Sequence, residues 1–494
     1  MPQITQWPPI GWLWQQYKTA AAWYSGDARR ISGISTSPTS FWASGEEIRF
    51  HVPLAADISS MSAAMIFSES PKFTTEHEQT QQRIDEVTEL GNFYAVLLQA
   101  AELASAFGGV CLKWSWDIAD GFPQLVAVPA DACLPEWVNG KLNRITFWSV
   151  VREDENTGAV WRLREVYDAD GHIRSGLMRG SLEEIGTEQP LNSIEETRGI
   201  KPDVNSGSGM LLATYVPNML PNRDAPHLRF GRSDYQGLYG MFDALDEAYS
   251  SIQRETRHTK TTVIVPMEYL RKREAMFEDM DTRASKWTFA NASGVFTALD
   301  IDSRNTSSPM TVVNPEMRAD ARLKVCDDLV RRILSAAGYA PQSAGIDING
   351  SAESGTALTV RERKTLRTTE TKKTYWWHAL MDMMRAFLVL DKAVFKSQVD
   401  PNTELSIELP SNTQPDIQQM SDILERLERA GAVSIQTKVQ LLHPEWSEDA
   451  VQEEIERIRL ERGKTGPDPL DPGLGDFEQT EEEEEDDGEE DDQS

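Results

Sequence analysis

A helix that is apolar along one half and polar along the other constrains this chain more than any other feature. It opens at Ser233, a suitable N-cap, and its apolar stripe runs from Leu238 to Ile252 at spacings of mostly three and four. From Gln253 to Lys260 every face is polar. At about 1.5 Å per residue, the segment predicts a rod of roughly 40 Å whose far end leaves its domain and enters solvent or an assembly.

A small β-rich insert follows this rod, and a second helix returns from it. Residues 261–313 contain several short strand candidates around one short helix. Asn314 and Pro315 then form a strong helix start, and the helix is expected to run to Gly338. The pattern predicts a hairpin-like stalk of two helices that carries a β cap.

The residues before the stalk predict a mixed α/β body. We expect a strand over 48–54, a short helix over 55–67 and one long helix over 76–107. Alternation of period two between residues 110 and 216 then predicts an antiparallel meander. A late strand, 404–409, is expected to complete that sheet.

A further long helix is predicted over 356–390, with a basic first half and an apolar second half. Its basic positions are Arg361, Arg363, Lys364, Arg367, Lys372 and Lys373. Because acids and threonines are interleaved with them, two interpretations stay open: a salt-bridged exposed or intersubunit face, and contact with a nucleic-acid backbone. Aromatic residues do not alternate with these bases, so base stacking is not supported.

The charge of the chain excludes a uniformly basic DNA-coating protein. Its 494 residues include 49 Lys+Arg against 79 Asp+Glu, a net charge of −30, and half of that excess lies in residues 465–494. Such an acidic run has little to bury and is expected to be disordered. We see no signal-peptide pattern and no apolar run long enough for a membrane span.

Motifs of catalysis and metal binding are missing from the sequence. We find no P-loop, no dinucleotide-binding glycine pattern, no HExxH and no nucleophile elbow. The seven histidines are scattered. The three cysteines, Cys111, Cys133 and Cys326, are odd in number and far apart, which argues against a disulfide framework or a cysteine zinc site. We therefore expect no cofactor and no metal.

The order of these segments resembles that of tailed-phage portal proteins, of the siphovirus type common in phages of Gram-positive hosts, including actinobacteria. The resemblance covers nearly the whole chain, and four stretches carry it. They begin at Val52-Pro53-Leu54, Gly231-Arg232-Ser233-Asp234, Ser354-Gly355-Thr356 and Gln414-Pro415-Asp416. None of the four is a catalytic signature, but their order is fairly specific.

The resemblance implies an α+β fold class: a portal-like subunit with a mixed α/β wing, a two-helix stem, a small β-rich clip, a helical crown and a disordered acidic C-terminal tail. The implied segments are an N-terminal arm (1–40), the wing (41–233), stem helices (234–260 and 316–338), the clip (261–315), a tunnel loop (339–355), a long helix returning to the wing (356–410), the crown (411–463) and the tail (464–494).

The resemblance also implies a structural function without catalysis. The chain would form a dodecameric ring at one capsid vertex of the virion, after assembly in the host cytoplasm, and double-stranded DNA would pass through it non-specifically. The implied partners are the terminase large subunit, a head-completion or adaptor protein, and the major capsid and scaffolding proteins, with no membrane. By analogy, the DNA-facing candidates are Asp347, Asn349, Ser351 and Glu353 in the tunnel loop and Arg318, Lys324 and Arg331 in the stem.

Two alternatives remain open at this point. One is a cytoplasmic hydrolase-like enzyme with a carboxylate site in the 110–216 sheet, and the other is a different head–tail adaptor, although adaptors are usually much shorter. A portal predicts a large homomeric ring without a cofactor, whereas an enzyme predicts a small oligomer with a closed pocket.

Overall fold

The computed structural model describes residues 11, 13–34, 49–258, 262–266, 296–299, 311–313, 319–346, 355–410, 424–427, 429, 433–442, 446 and 448–462. The chain divides into two compact units, residues 1–412 and residues 413–494. The acidic tail predicted over 464–494 lies outside the described residues.

Helices and sheets alternate in the first unit, which confirms the α+β expectation. Its helices are α1 (Trp14–Ser25), α2 (Ala28–Ile34), α3 (Leu54–Ile66), α4 (Glu78–Leu90), α5 (Phe93–Phe107), α6 (Tyr239–His258), α7 (Ala319–Ala337) and α8 (Gly355–Leu390). Its strands are β1 (Lys72–Thr75), β2 (Gly109–Ser115), β3 (Gln124–Pro129), β4 (Cys133–Val138), β5 (Lys141–Asp154), β6 (Ala159–Asp168), β7 (His172–Gly180), β8 (Thr187–Gln189), β9 (Asp203–Asn205), β10 (Ala213–Pro217), β11 (Thr262–Pro266), β12 (Phe296–Leu299), β13 (Thr311–Val313) and β14 (Leu405–Glu408).

The long helix predicted over 76–107 is wrong as one element, because two helices, α4 and α5, occupy that range. Gly91 ends α4 with its N–H bonded to the Val87 carbonyl at 3.0 Å. Asn92 then takes φ 49°, a left-handed conformation that asparagine tolerates and that a right-handed helix cannot contain. The strand predicted over 48–54 is also absent, since residues 49–53 form no strand and α3 begins at Leu54.

The region 110–216 forms two sheets rather than one. A three-stranded antiparallel sheet has the order β10-β2-β3, and a six-stranded sheet has the order β4-β5-β6-β7-β8 with β9 paired to β7. The predicted meander is confirmed in the consecutive antiparallel pairs of β5, β6 and β7.

The late strand β14 does not complete either of these sheets, so that prediction is wrong. It pairs antiparallel with β1, a strand that sequence alternation did not single out. Phe73 lies opposite Ile407, and both side chains are buried in the main core. The pair is favoured because it covers two apolar side chains that neither strand could bury alone.

The main core lies between α5, the three-stranded sheet and the apolar half of α8. Trp114 of β2 is fully buried there, and its indole N–H donates to the Met383 carbonyl at 2.8 Å. Phe387 packs against the Trp114 ring with centroids 5.4 Å apart. The apolar half of α8 is therefore the central helix of this core, as its strongly apolar sequence requires.

The β-rich insert is confirmed for the strands that the structure describes. β11 is the middle strand, parallel to β12 and antiparallel to β13. This sheet lies in sequence between α6 and α7, as the helix–insert–helix pattern predicts. The other element predictions within 267–295 fall outside the described residues.

In the part of the second unit that the structure describes, two neighbouring helices are α9 (Ile435–Leu442) and α10 (Glu448–Arg462). Val439 of α9 packs against Val451 and Ile455 of α10, which confirms the predicted stripe of the last helix. Across both units, none of the described helices combines the length and the apolar character that crossing a membrane requires.

Candidate functional site

The two helices on either side of the β insert form an antiparallel hairpin, which we call the stalk (α6 and α7). Apolar residues of both helices share one core with α1 and α3 at the base of the stalk. The buried members from the stalk helices are Phe242, Leu245, Cys326, Ile333 and Leu334. Farther from the base, Arg322 of α7 binds Glu255 of α6 at 2.6 Å. The polar end of the rod is thus held by charge pairing rather than by an apolar stripe.

Ser233 does not cap α6, which begins only at Tyr239. The Ser233 hydroxyl donates to the Ser105 carbonyl at 3.2 Å and accepts from the Tyr235 N–H at 3.0 Å. The Asp234 N–H also binds the Ser105 carbonyl, at 3.0 Å. Because these bonds hold the chain against the end of α5, residues 234–238 form turns before the helix starts.

The outer face of α7 carries two of the predicted channel residues. Lys324 is exposed and Arg331 is half-buried, and seven residues separate them, so they share one face of the helix. Within the described residues, neither of them forms an ion pair. The third stem candidate, Arg318, lies outside the described residues, as do the tunnel-loop candidates Asp347, Asn349, Ser351 and Glu353.

Apolar side chains are also exposed on α7, one on each flank of this face, because residues two positions apart on a helix point about 200° apart. Leu323 is 43% exposed and Val325 is 55% exposed. Among their neighbours, Arg332 binds Asp328 at 2.7 Å within the same helix. The exposed surface of α7 therefore carries both paired charges and uncovered apolar area.

A buried group of polar side chains, which we call the hub, joins the base of the stalk to the body. Lys372 of α8 is its centre and is 1% exposed. Its ammonium group donates to Asp234 Oδ2 at 2.6 Å, to Ser62 Oγ at 2.8 Å and to the Tyr339 hydroxyl at 2.8 Å. An ammonium group has three N–H donors, so these three acceptors satisfy it completely.

The Asp234 carboxylate is equally well bound. Besides Lys372, it accepts from Ser105 Oγ at 2.7 Å, from Asn218 Nδ2 at 2.8 Å and from the Tyr339 hydroxyl at 3.1 Å. Burial lowers the pKa of Lys372 below its usual range, and the Asp234 charge partly opposes that shift. Burial also raises the pKa of Tyr339, which keeps its hydroxyl protonated and able to donate.

At the base of the stalk, the hub attaches the start of α6 and the end of α7 to two other helices. Asp234 precedes α6, Tyr339 follows α7, Ser62 belongs to α3 and Lys372 lies in the middle of α8. A buried ion pair with all of its hydrogen bonds made sets one geometry, because any displacement leaves a charge without a partner. The arrangement can therefore set the direction in which the stalk leaves the body.

The first half of α8 continues this attachment along the end of α7. Thr365 Oγ1 accepts from the Ala340 N–H at 2.8 Å, and Thr368 Oγ1 donates to the Gly338 carbonyl at 2.9 Å. Lys364 binds the Ser335 hydroxyl at 3.0 Å and the Ser335 carbonyl. Gly338 has φ 103°, and a Cβ there would lie 2.9 Å from Thr368 Oγ1, so this close approach requires glycine.

Two of the six basic residues of α8 differ from both sequence interpretations, and the side chain of Arg361 lies outside the described residues. Arg363 and Arg367 are exposed, but Lys372 and Lys373 are buried. Lys373 donates to the Pro410 carbonyl at 2.6 Å and to Glu370 at 3.3 Å. These two lysines hold parts of the same chain together and are not available to a neighbouring subunit or to DNA.

Sequence reasoning missed the hub, although a signal for it exists. Thr365, Thr369, Lys372 and Trp376 are all buried and recur at spacings of four and three. These residues lie on the same buried face of α8 as its apolar stripe, which continues towards the N-terminus with polar instead of apolar side chains. The sequence does not indicate which acid would pair with Lys372, because Asp234 lies 138 residues away.

Two carboxylates of β6 pair with bases and not with each other. Glu165 binds Lys113, and Asp168 binds both Arg144 and Arg174. Within the described residues there is no group of three or more histidine, cysteine or acidic side chains suited to a metal ion. The geometry gives no support to the carboxylate hydrolase considered from the sequence.

Comparison with known proteins identifies the family. The family described as "Phage portal protein, SPP1 Gp6-like" matches residues 46–468. No curated protein matches the sequence. Among solved structures, the chain is similar to one in the virion of a native gene transfer agent particle, with 11% identity, TM-score 0.44, and coverage of 84% of this chain and 98% of that one.

A chain in the neck of an empty gene transfer agent particle is also similar, at 10% identity and TM-score 0.44, covering 79% of this chain and 90% of that one. The family match extends over most of the 494 residues. Proteins of this family are structural components of phage virions and not enzymes. The chain therefore belongs to the SPP1 Gp6-like family of phage portal proteins.

Proposed function

We propose that this protein assembles into a dodecameric ring at one capsid vertex and forms the conduit for double-stranded DNA during packaging and ejection. The observation that carries the proposal is the family match over residues 46–468. In this proposal the ring also docks the terminase large subunit and later a head-completion or adaptor protein. We also propose that the ring contacts capsid and scaffolding proteins and that it assembles in the host cytoplasm. The phage would be a siphovirus of a Gram-positive host, such as an actinobacterium.

The proposed segments follow the fold. The wing would comprise 41–233 and 356–410, the stem 234–260 and 316–338, the clip 261–315, the tunnel loop 339–355 and the crown 411–463, between an N-terminal arm (1–40) and an acidic tail (464–494). Support comes from the antiparallel stalk, which carries the β11–β13 sheet between its two helices.

Neighbouring copies in the ring would cover the two flanks of α7, which carry Leu323 and Val325. Leu323 and Val325 expose apolar area on an otherwise charged helix, and contact with another copy would remove that area from water. The charges around them are already partly paired, as in Arg332 with Asp328. Side-by-side packing of stalks would therefore bury apolar area without leaving these charges unpaired away from water.

DNA must slide through such a channel, so its lining should bind phosphates weakly. Each phosphate contact that a lysine or arginine makes adds affinity through counterion release. The helix α7 carries three acids and four bases, and two of the bases pair with Glu255 and Asp328. Lys324 and Arg331 are the remaining bases, so ion pairing leaves half of the bases of α7 for contact with phosphates.

Assembly is tested by negative-stain electron microscopy of the full-length chain, with its mass in solution measured in parallel. We expect closed rings of about twelve copies, since a conduit needs cyclic symmetry. Replacing both Leu323 and Val325 by glutamate should reduce ring formation at least about tenfold, because charges would enter the contact. A chain that stayed monomeric or dimeric, even with capsid and scaffolding proteins present, would overturn the proposal.

The matched control is Ile118→Glu, at a side chain that is 75% exposed and lies in a turn remote from the stalk in sequence. This variant should form rings as the parent does. Equal loss of rings in both variants would show that added surface charge alone disrupts assembly. Leu323 and Val325 would then have no specific role in the contact between copies.

A further inference from the structure

Two of the three cysteines, far apart in sequence, meet in the core. Cys111 lies in β2, Cys133 is the first residue of β4, and their sulfur atoms are 2.8 Å apart. Both residues are 0% exposed. A disulfide bond is about 2.05 Å long, so the two sulfurs need to approach by only about 0.8 Å to bond.

The position of this pair gives a bond between them a structural effect. Cys111 belongs to the three-stranded sheet and pairs across it with Val128 and Tyr215. Cys133 belongs to the six-stranded sheet and lies opposite Phe147. A covalent bond between the two sulfurs would join the two sheets at the place where they meet.

We propose that Cys111 and Cys133 form a redox site that closes to an intramolecular disulfide when the protein meets a low-molecular-weight disulfide. One cysteine, as its thiolate, attacks the small disulfide, forms a mixed disulfide and releases one small thiol. The other cysteine then attacks that mixed disulfide and releases the second small thiol. The two protein thiols are oxidised, the small disulfide is reduced, and their two protons leave on the released thiols.

The surroundings make this site slow to react while the fold is closed. Burial raises the pKa of the Cys133 thiol well above its usual value, and the hydrogen bond with Cys111 adds to that rise. The thiolate, which is the attacking form, is therefore scarce. A mixed disulfide also needs space that a fully buried pair lacks. Because β4 is the edge strand of its sheet, local opening there exposes Cys133 first.

The test uses the purified full-length chain, incubated with oxidised glutathione or with excess dithiothreitol. Free thiols are then alkylated after unfolding, and the peptides are mapped by non-reducing mass spectrometry. We expect a cross-linked peptide pair joining Cys111 to Cys133 that is two hydrogens lighter than the separate peptides. The reaction should accelerate in mild denaturant, because it depends on opening of the edge strand.

Cys326 is the internal control, since it is also 0% exposed and belongs to the stalk core rather than to the sheets. It should remain an alkylated free thiol. Recovery of all three cysteines as free thiols after prolonged oxidation would overturn the proposal. Disulfides to Cys326, or between two chains, in place of the Cys111–Cys133 bond would overturn it as well.

Thermal unfolding gives an independent readout. The bond closes a loop of 22 residues, and the resulting loss of freedom in the unfolded chain should raise the Tm by about 4 °C. In Cys111→Ala that rise should disappear, whatever the basal stability of the variant. A rise of the same size in this variant would show that oxidation acts elsewhere and would contradict the assignment.

Discussion

Two helices, α7 and α8, place the same kinds of charged residues in opposite environments. On α7, Lys324 is exposed, and Arg332 pairs with Asp328 on the surface of the same helix. On α8, Lys372 is 1% exposed and binds Asp234 in the interior. The difference arises because α7 packs through one face, whereas α8 lies between the main core and the base of the stalk.

A basic residue on a helix can therefore lie at the surface or in the interior, and its sequence position alone does not predict contact with nucleic acid. A surface pair in water contributes little, whereas a buried pair fixes geometry and makes removal of one partner costly.

The largest effect is expected from Lys372→Met. The substitution leaves the buried Asp234 carboxylate without its counterion, so the free energy of unfolding should fall by about 3–5 kcal/mol in urea denaturation. Adding Asp234→Asn should recover part of that loss, because no buried charge then remains. The control is Lys324→Met on α7, which should change stability by less than about 0.5 kcal/mol. If Lys372→Met and Lys324→Met changed the free energy of unfolding by similar amounts, the contrast between a buried and an exposed lysine would be wrong.

The partly buried acid Asp131 gives a second test, this time for a negative charge. Burial raises the pKa of Asp131 to about 6, above its unfolded value of about 4. The folded state then holds the proton more tightly, so the stability from this group is present below about pH 4 and is lost as pH rises through 6. Asp131→Asn should therefore stabilise the protein by about 1–3 kcal/mol at pH 7.5.

This gain should vanish when the same denaturation series is run near pH 4. The control is Asp327→Asn, at an exposed position of α7, which should show no such pH-dependent gain. A gain at Asp131 that stayed constant from pH 4 to pH 8 would contradict the assigned cause.

A smaller effect is expected from Thr368→Val, which removes the hydrogen bond from α8 to the Gly338 carbonyl. The loss of one such bond should cost about 1 kcal/mol in chemical denaturation. Thr371→Val is the matched control, since the Thr371 hydroxyl donates to the Arg367 carbonyl of its own helix and to no other group among the described residues. If both valine variants lost the same stability, the attachment of α7 along α8 would not contribute.

The smallest effect is expected at the Glu255–Arg322 pair, whose side chains are 22% and 45% exposed. Because solvent screens this pair, a double-mutant cycle with alanine at both positions should give a coupling energy below about 1 kcal/mol. The coupling should fall further in 1 M salt. A salt-independent value of several kcal/mol would place this pair in the same class as Lys372 and Asp234.

The sequence predicted the architecture well wherever a strong period was present. The helix 355–390, the consecutive strands β5 to β7 and the helix–insert–helix order all follow from local periodicity. The prediction failed where a short local event interrupts a period, as between α4 and α5, where α4 ends at Gly91 and Asn92 takes a left-handed conformation.

Strand partners were harder to predict than strands. The segment 404–409 was recognised as a strand but assigned to the wrong sheet, because its partner β1 lies more than 300 residues earlier. The candidate site divides in the same way. Lys324 and Arg331 could be named from their place on a predicted helix, and their contact with DNA stays a prediction. The hub, made of side chains from four distant segments, could not be named in this way.

By itself, the sequence determined the helices, most strands, the stalk and the family to which their order points. These features depend on neighbours within a few residues, where periodicity and capping act. Only the tertiary structure decided that Lys372 meets Asp234, that Cys111 meets Cys133 and that the region 110–216 forms two sheets. Such pairs depend on how distant segments pack, and the free energy of burying them is set by all of their surroundings at once.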